Sequence, residues 1–396
     1  MKKYYLCKLH IRGLICVYFN LIIKNVLFMK KSIFTLLVLL LSTVGVFSQR
    51  VDNKDYKNQK DVSVVYFIRE ITPENVLKLY KALNAEQEGR IGVKLHFGEK
   101  GNKNFLNPEL TRPLMKETKA TWVETNVLYV GERRYTDRHL ALAAQHGFTF
   151  APIDILDSEG EIDIPTDGMG LKHYRNVKLG KHFMNYDRYI IYTHFKGHGS
   201  AGFGGAIKNL AMGFASPGGK MAQHATDFPQ INSPEKCVGC SNCVNNCPAA
   251  ALTLEGGISI DTTKCIGCAK CIAECPLKLF SPKQVELKGS TFMERLVEYA
   301  YVAWKTKPMV YINVLANISA SCDCSSRAPE PFCGDIGILA SNDIVAIDQA
   351  SFDLVAEQHK CEDPFLKESG KSGLSQLDYA SKLGMGNRKY VLIEIK

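Results

Sequence analysis

Apolar runs alternate with helical periodicity along most of the chain after residue 50. Short runs bounded by glycine, proline or charge predict strands, and apolar residues three and four apart predict helices. The predicted strands are Val62–Ile68, Ile91–Phe97, Thr121–Val130, Phe148–Leu156, Tyr189–Phe195, Met309–Val314, Ile336–Ala340 and Tyr390–Ile395. The predicted helices are Pro73–Leu83, Pro108–Thr118, one running from a Thr136 cap to about His146, Phe292–Trp304, and Ile344–Val355 with Asp343 or Asn342 as its cap. Because strands separated by such helices form parallel βαβ units, the pattern predicts an α/β fold with a mostly parallel sheet and flanking helices.

The alternation stops near residue 230 and resumes near residue 290. The sequence therefore predicts one α/β domain in two parts, 49–232 and 286–396. Between them lies an insertion at 233–285, and residues 1–48 precede the domain as a leader.

The leader has the three parts of a secretory signal, which are a charged start, an apolar middle and a small-residue end. Lys30 and Lys31 precede an uncharged stretch that contains the apolar run Ile33–Leu41. Met29 is a candidate true start, so the signal is predicted at about 29–48. This pattern predicts an exported or periplasmic protein with no stable membrane span in the mature chain. A retained membrane anchor and a cytoplasmic protein are the alternatives.

Charge changes the picture mainly by what it excludes. The chain has 49 Lys and Arg against 40 Asp and Glu, a formal charge of +9. Residues 1–48 hold seven of the basic residues and no acidic ones, so the remainder carries +2, the difference between +9 and 7. A nucleic-acid binder should keep its basic excess in the folded part, so no nucleic-acid partner is expected.

Eight of the 14 cysteines repeat one spacing inside the insertion. The pattern C-x2-C-x2-C-x3-C-P occurs twice, the second time 28 residues after the first. The eight residues are Cys237, Cys240, Cys243, Cys247, Cys265, Cys268, Cys271 and Cys275. This segment of about 50 residues resembles bacterial two-cluster ferredoxins, which are small α+β domains.

The resemblance implies two [4Fe–4S] clusters, because the fourth cysteine of each such run ligates the other cluster. One cluster takes Cys237, Cys240, Cys243 and Cys275, and the other takes Cys265, Cys268, Cys271 and Cys247. The alternatives are zinc, which prefers two pairs of ligands, and disulfides, which need no regular spacing. Clusters built on reduced thiols conflict with export to an oxidising compartment. The conflict is removed if the host lives without oxygen, if clusters are inserted after export, or if the signal is not used.

A glycine-rich turn follows the predicted strand Tyr189–Phe195 and leads into a helix. Backbone N–H groups at such a turn suit an anion, lysines add positive charge, and histidines can bind a metal or move protons. The candidate cofactor-binding residues are His194, Lys196, His198, Gly204, Gly205, Lys208 and Asn209. The alternative is a tight turn whose glycines serve close packing. His173, His182 and His224 are expected to be surface or core residues.

Cys322 and Cys324 flank a single residue, and two thiolates at that spacing can chelate one metal ion. The sequence therefore marks them as a candidate additional metal site. A disulfide, for example with Cys333, and buried small apolar residues are the alternatives. No role is predicted for Cys361.

The segments around the insertion also resemble a known group. They contain the sequences HFKGH, GFGGAIKN, SCDC, DIGILAS and VAIDQA. Through these sequences the chain resembles, over roughly residues 60–396, the bacterial domain of unknown function 362 family. Some members of that family carry a ferredoxin insert and others lack it. The resemblance gives a grouping and no reaction, but it implies that the α/β domain has a site of its own.

Three functional hypotheses follow. In the first, two clusters pass electrons to a site in the α/β domain, which would make the chain an oxidoreductase with a redox partner protein or a small-molecule donor or acceptor. In the second, the chain is a non-enzymatic electron carrier. In the third, the α/β domain binds a metal or an anion, and the clusters are structural or sense redox state.

Overall fold

An eight-stranded sheet organises the chain in the computed structural model, which describes residues 50–52, 59–86, 88–129, 131–224, 228–265, 267, 269–282 and 289–396. The predicted leader with Met29, and also Val130 and Cys268, lie outside the described residues. In spatial order the strands of the sheet are β16 (Tyr390–Glu394), β1 (Ser63–Ile68), β15 (Gly337–Ser341), β14 (Met309–Leu315), β7 (Arg188–His194), β2 (Ile91–Lys94), β3 (Thr121–Glu124) and β4 (Ile153–Ile155).

The sheet is mostly parallel, as the sequence pattern predicted. Among its described strands only β15 runs against its neighbours, β14 and β1. The other adjacent pairs are parallel. The carboxyl ends of seven strands therefore meet at one edge, and β15 contributes its amino end there.

Helices cover both faces of this sheet and, among the described residues, two further helices lie within the cysteine-rich segment. They are α1 (Pro73–Ala82), α2 (Arg112–Thr118), α3 (Thr136–Gln145), α4 (Ala206–Phe214), α5 (Pro217–Gln223), α6 (Asn242–Asn245), α7 (Lys270–Glu274), α8 (Gly289–Thr306), α9 (Ile344–His359), α10 (Pro364–Ser369) and α11 (Leu374–Lys382). Among the described helices, none combines the length and the apolar character that crossing a bilayer requires.

Two apolar cores lie on opposite faces of the sheet, and residues of one strand alternate between them. In β7, Tyr189 and Ile191 belong to one core, and Ile190 and Tyr192 belong to the other. The first core includes side chains of α4, α8 and α9, and the second includes side chains of α1, α2 and α3. Burial on both faces explains why these strands read as continuous apolar runs.

Several predicted elements differ in detail. The helix predicted at Pro108–Thr118 begins with a 3-10 turn, Pro108–Thr111, before α2. Thr136 is the first residue of α3 and not its cap, which is Tyr135, and the Thr136 hydroxyl accepts a hydrogen bond from Asn126 at 3.0 Å. Asp343 does cap α9, since it accepts the N–H groups of Val345 and Ala346.

Short two-stranded pairs complete the fold, and none of their strands was predicted. The pairs are β5 (Glu161–Pro165) with β6 (Asn176–Gly180), β8 (Lys196–His198) with β9 (Gly202–Gly204), β10 (Pro229–Ile231) with β13 (Phe280–Pro282), and β11 (Leu252–Thr253) with β12 (Ser259–Ile260). Because β10 and β13 pair antiparallel, the cysteine-rich segment leaves and rejoins the α/β domain at neighbouring positions.

Candidate functional site

A cavity of about 320 Å³ opens at the carboxyl edge of the sheet. Lys94, Glu124 and His194 end β2, β3 and β7, and all three line it. From β2 the chain continues outward through β3 and β4, whereas from β7 it continues the other way through β14 and β15. The cavity therefore lies at the point where the strand order reverses, which is where open α/β sheets bind ligands.

The structure brings together every candidate residue of the glycine-rich turn and the Cys-Asp-Cys pair. The cavity is lined by His194, Lys196, His198, Gly204, Gly205, Lys208 and Asn209, together with Cys322 and Cys324. His194 ends β7, the hairpin β8–β9 and the start of α4 supply the other six, and the turn after β14 supplies the cysteines. Cys333 and Cys361 do not line this cavity.

The amino terminus of α4 is occupied by a carboxylate of the protein itself. Asp348 of α9 accepts the N–H groups of Ala206 at 2.7 Å and Ile207 at 2.9 Å. Gly205 is required at this point, because a Cβ there would lie 2.4 Å from the Asp348 Oδ1 atom. These two N–H groups are therefore not available to a ligand, and α4 contributes side chains to the cavity instead.

His194 is held on both sides of its ring. Nδ1 lies 2.8 Å from Asp323 Oδ1, and Nε2 lies 2.7 Å from the carbonyl oxygen of Ala316. The Lys196 ammonium is 3.3 Å from the same Asp323 carboxylate. Although burial opposes its charge, His194 and Lys196 hold the pKa of Asp323 well below its usual range. With both nitrogens used by the protein, His194 positions the Cys-Asp-Cys turn and offers no free nitrogen to a metal.

Cys322 and Cys324 form a thiol pair beside a lysine. The Lys208 Nζ atom is 3.9 Å from the Cys322 Sγ atom. The Cys324 thiol, Lys208 and Lys196 hold the pKa of Cys322 well below its ordinary value, even though the residue is buried. The hydrogen bond to Cys322, together with burial, raises the pKa of Cys324 well above its ordinary value. Neither cysteine is in a disulfide, and of the two it is Cys322 whose surroundings favour a thiolate.

His198 completes a group of three potential ligands. One ligand atom from each of His198, Cys322 and Cys324 lies within 4.8 Å of the others, a separation at which they could hold a metal ion. Burial, followed by the charge of Lys208, lowers the pKa of His198 well below its usual value, so the ring is neutral. Its Nδ1 atom accepts the N–H groups of Ser200 and Ala201 at 3.1 and 3.0 Å. The hydrogen of the neutral ring is therefore on Nε2.

Sequence analysis missed several residues that line the cavity. His96, Arg133, Lys220 and Tyr192 lie on other segments, and no local motif marks them. Arg133 is 1% exposed and contacts Glu99 at 3.3 Å, yet its Nη1 atom has no hydrogen-bond partner among the described residues. The buried hydroxyl of Tyr192 also has no hydrogen-bond partner among the described residues. A ligand in the cavity is one source of the missing partners.

His224 was expected on the surface or in the core. It is an exposed residue, as the surface alternative predicted, and it also lines the cavity. Desolvation of its ring by the cavity walls, followed by the charge of Lys208, lowers its pKa to about 4. It follows α5, a helix that the sequence pattern did not predict.

The cysteines of the insertion line two further cavities. Cys237, Cys240, Cys243 and Cys275 line one, and Cys247, Cys265 and Cys271 line the other. Each cavity thus combines cysteines from both runs. Cys268, the remaining member of the second set, lies outside the described residues.

The two runs also share a backbone conformation. Residues 28 apart take the left-handed conformation at three corresponding points, with φ of +68° and +69° at Gly239 and Gly267. The other pairs are Ser241 with Ala269 and Ala250 with Lys278. The N–H groups of Ala251 and Leu279 donate to the Sγ atoms of Cys247 and Cys275 at 3.3 and 3.4 Å. The sequence repeat is therefore a structural repeat.

A family model described as Domain of unknown function (DUF362) matches residues 91–353, about two thirds of the chain. The chain belongs to this family. The match spans the cavity residues and the cysteine-rich segment, and its description assigns no reaction. No curated protein matches this chain.

Two solved structures are similar to this DUF362 protein. One is the lactate racemase apoprotein from Thermoanaerobacterium thermosaccharolyticum, with 14% identity, a TM-score of 0.33, and coverage of 65% of this chain and 51% of the other. The second is a protein from Thermotoga maritima, with 11% identity, a TM-score of 0.32, and coverage of 78% and 58%. The chain thus spans a little over half the length of the solved proteins it matches.

The cysteine-rich segment packs against the wall of the main cavity. Leu128, which lines that cavity, belongs to the same apolar cluster as Cys243 and Cys271. Met221 of α5 belongs to it too, and its neighbour Lys220 faces the cavity. Leu128 therefore contributes both to the cavity wall and to the apolar cluster around these cysteines.

Proposed function

We propose that this chain is an iron–sulfur protein that binds two [4Fe–4S] clusters and uses them to exchange electrons with an anion bound at the carboxyl edge of the sheet. The observation that carries the proposal is the crossed grouping of the cysteines. Three cysteines of the first run share a cavity with Cys275 of the second, and Cys247 of the first run lies with Cys265 and Cys271. Two-cluster ferredoxins require this exchange.

The residues present fit such groups. The cysteines supply thiolate ligands, and N–H donation to sulfur, as from Ala251 and Leu279, stabilises thiolate charge. Leu252, Ile258 and Phe280 pack around the cysteines and keep water out. When bound, two clusters of this type supply single-electron exchange.

The two sites differ in what they face. Cys240 is exposed and its neighbour Val238 is 71% exposed, so the first site opens to the surface, where a redox partner can approach. The second site faces the α/β domain, because the Gly267 carbonyl oxygen would lie 3.1 Å from a Cβ at Gly218 in α5. This arrangement supports electron passage from surface to cavity, the donor being oxidised by one electron for each one that the acceptor gains.

Iron and acid-labile sulfide, measured on chain purified without oxygen, test the proposal. We expect about eight of each per chain, from two clusters of four. The double variant of Cys243→Ser with Cys275→Ser should keep about half, because both belong to one cluster. The double variant of Cys243→Ser with Cys271→Ser should lose nearly all, because each cluster loses a ligand. Cys333→Ser is the matched control and should keep the full content.

Fewer than about four irons in the parent chain would overturn the cluster assignment. Equal losses in the two double variants would overturn the crossed pairing. If both contents are as expected, addition of a one-electron reductant should bleach the visible absorption of the parent. An unchanged spectrum would contradict the electron-transfer role.

A further inference from the structure

We propose that Cys322 and Cys324 are a redox-active dithiol that exchanges with an anionic, low-molecular-weight disulfide in the cavity. This proposal does not depend on the clusters, since the pair belongs to the α/β domain and uses its own chemistry. It rests on the geometry of the Cys-Asp-Cys turn, on the hydrogen bonding of His198, and on the charges that line the cavity.

The turn holds the two cysteines at a spacing that a disulfide can span. The Ser325 N–H group donates to the Cys322 carbonyl oxygen at 2.9 Å, which closes a turn over Asp323 and Cys324. Residues two apart in a strand have Cα atoms at most roughly 6.8 Å apart, and a disulfide accepts Cα separations up to about 6.8 Å. The sulfur atoms already lie within 4.8 Å of each other. An S–S bond can therefore form without moving the sheet.

The two sulfurs have different surroundings. Lys208 stands 3.9 Å from the Cys322 Sγ atom and provides a counter-charge for a thiolate there. Asp323 between the cysteines is turned away and bound to His194 and Lys196. Cys322 is thus suited to attack a ligand in the cavity, and Cys324 to resolve the product.

The alternative is a metal ion held by His198 and the two cysteines. A histidine that ligates through Nε2 donates its Nδ1 hydrogen to an acceptor. In this structure the Nδ1 atom of His198 faces two N–H donors, those of Ser200 and Ala201. That arrangement places the hydrogen on Nε2, which then points a donor at the cavity. The hydrogen bonding therefore favours a thiol site over a metal site.

Charge selects the class of ligand. The cavity is lined by Lys94, Lys196, Lys208, Lys220 and Arg133, against the one carboxylate of Glu124. Within the described part of the chain, Lys208 has no carboxylate within 4.0 Å, whereas Lys94 and Lys196 each have one and Arg133 has two. A disulfide that carries carboxylates would satisfy Lys208 and the Nε2–H donor of His198.

The exchange is balanced in atoms and electrons. The Cys322 thiolate attacks one sulfur of the small disulfide, the ligand S–S bond breaks, and one thiolate leaves. Cys324 then gives its proton to solvent, attacks the Cys322 sulfur, and releases the second thiolate. The protein pair loses two electrons, and the small disulfide gains them.

Peptide mapping after anaerobic exchange provides the test. Trypsin leaves Cys322 and Cys324 in one peptide and Cys333 in the next, because no Lys or Arg lies between Pro308 and Ser326. Treatment with glutathione disulfide should remove both alkylation sites from the first peptide. Cys324→Ser should trap one glutathione on Cys322, and Cys322→Ser should trap none. Cys333→Ser is the matched control and should react like the parent.

The charge of the probe separates recognition from reactivity. We expect the anionic glutathione disulfide to react with Cys322 at least tenfold faster than the cationic disulfide cystamine, after correction for their rates with free cysteine. Lys208→Met should abolish that preference. Equal corrected rates in the parent would overturn the assigned ligand class.

Metal analysis of the same samples distinguishes the dithiol from a metal site. We expect that a chelator leaves the Cys322 rate unchanged and that the parent holds no zinc that Cys322→Ser lacks. The dithiol proposal would be overturned if the parent held one zinc per chain, if Cys322→Ser and His198→Ala lost it, and if the cysteine pair reacted only after a chelator had removed the metal. Iron and sulfide in these variants should match the parent, so failure here is distinguishable from failure of the cluster assignment.

Discussion

Replacement of Asp348 by alanine should release the helix that carries Lys208 and Asn209. Asp348 is fully buried and accepts hydrogen bonds from Ala206, Ile207 and Asn313. Three bonds to a charged acceptor at about 1.5–3 kcal/mol each give about 5–9 kcal/mol. Burial opposes this by raising the pKa of Asp348 to about 6. The raised pKa is what remains after these same hydrogen bonds, so it is not subtracted from them. Asp348→Ala leaves three buried donors without a partner, at about 1–3 kcal/mol each, and we expect a net loss toward the lower end of that sum, about 4 kcal/mol.

The sign of the pH dependence follows from the raised pKa. The folded state keeps the proton of Asp348 up to about pH 6, whereas the unfolded chain loses it near pH 4, so ionisation lowers parent stability as pH rises through that window. The deficit of Asp348→Ala should therefore be about 1 kcal/mol smaller at pH 7 than at pH 5.

Hydrogen exchange of the backbone amides of α4 measures this effect directly. At 4 kcal/mol, protection of 206–214 should fall about 1000-fold if the loss is local. Asp353→Ala is the matched control, because Asp353 is on the same helix but accepts from the side chains of Gln349 and Tyr390. If α4 keeps its parent protection in Asp348→Ala, or loses no more than in the control, the capping role is refuted.

Two further substitutions test the surroundings of the cavity. A Cβ at Gly197 would lie 2.6 Å from the Ala320 backbone, whereas one at Gly199 would meet nothing within 4 Å. Gly197→Ala should therefore lower stability by about 1–3 kcal/mol and slow alkylation of Cys322, and Gly199→Ala should leave both near parent values. Burial lowers the pKa of Lys220 to about 8. The folded chain therefore loses this proton at a lower pH than the unfolded chain does, and the free energy of unfolding rises with pH between about 8 and 10.5. Lys220→Met should show a smaller rise in the urea midpoint between pH 7.5 and 9.5, and an equal rise in parent and variant would contradict the assignment.

The pattern of apolar residues was sufficient to predict the sheet, because its strands are buried on both faces. Such strands read as apolar runs, and the helices between them imply parallel pairing. The reversed direction of β15 could not be predicted in this way. It depends on which strands lie beside it, and no residue in Gly337–Ser341 carries that information.

The candidate site was predictable only where chemistry is concentrated in one segment. The glycine-rich turn and the Cys-Asp-Cys turn each group several reactive residues, so both were found, although nothing local indicated that they share a cavity. Arg133 and His96 are single residues in unremarkable segments. The burial of Arg133 beside Glu99 and the position of His96 at the cavity depend on long-range packing that one sequence does not reveal.

The pairing of β10 with β13 makes the cysteine-rich segment a removable module. Facing residues of an antiparallel pair lie only about 4.5–5.5 Å apart, so Ile231 and Phe280 could be joined by a two-residue turn. The whole segment could thus be inserted or deleted in one event without a change in the strand order of the sheet. The change would uncover Leu128 and Met221, which pack in the same apolar cluster as the cysteines.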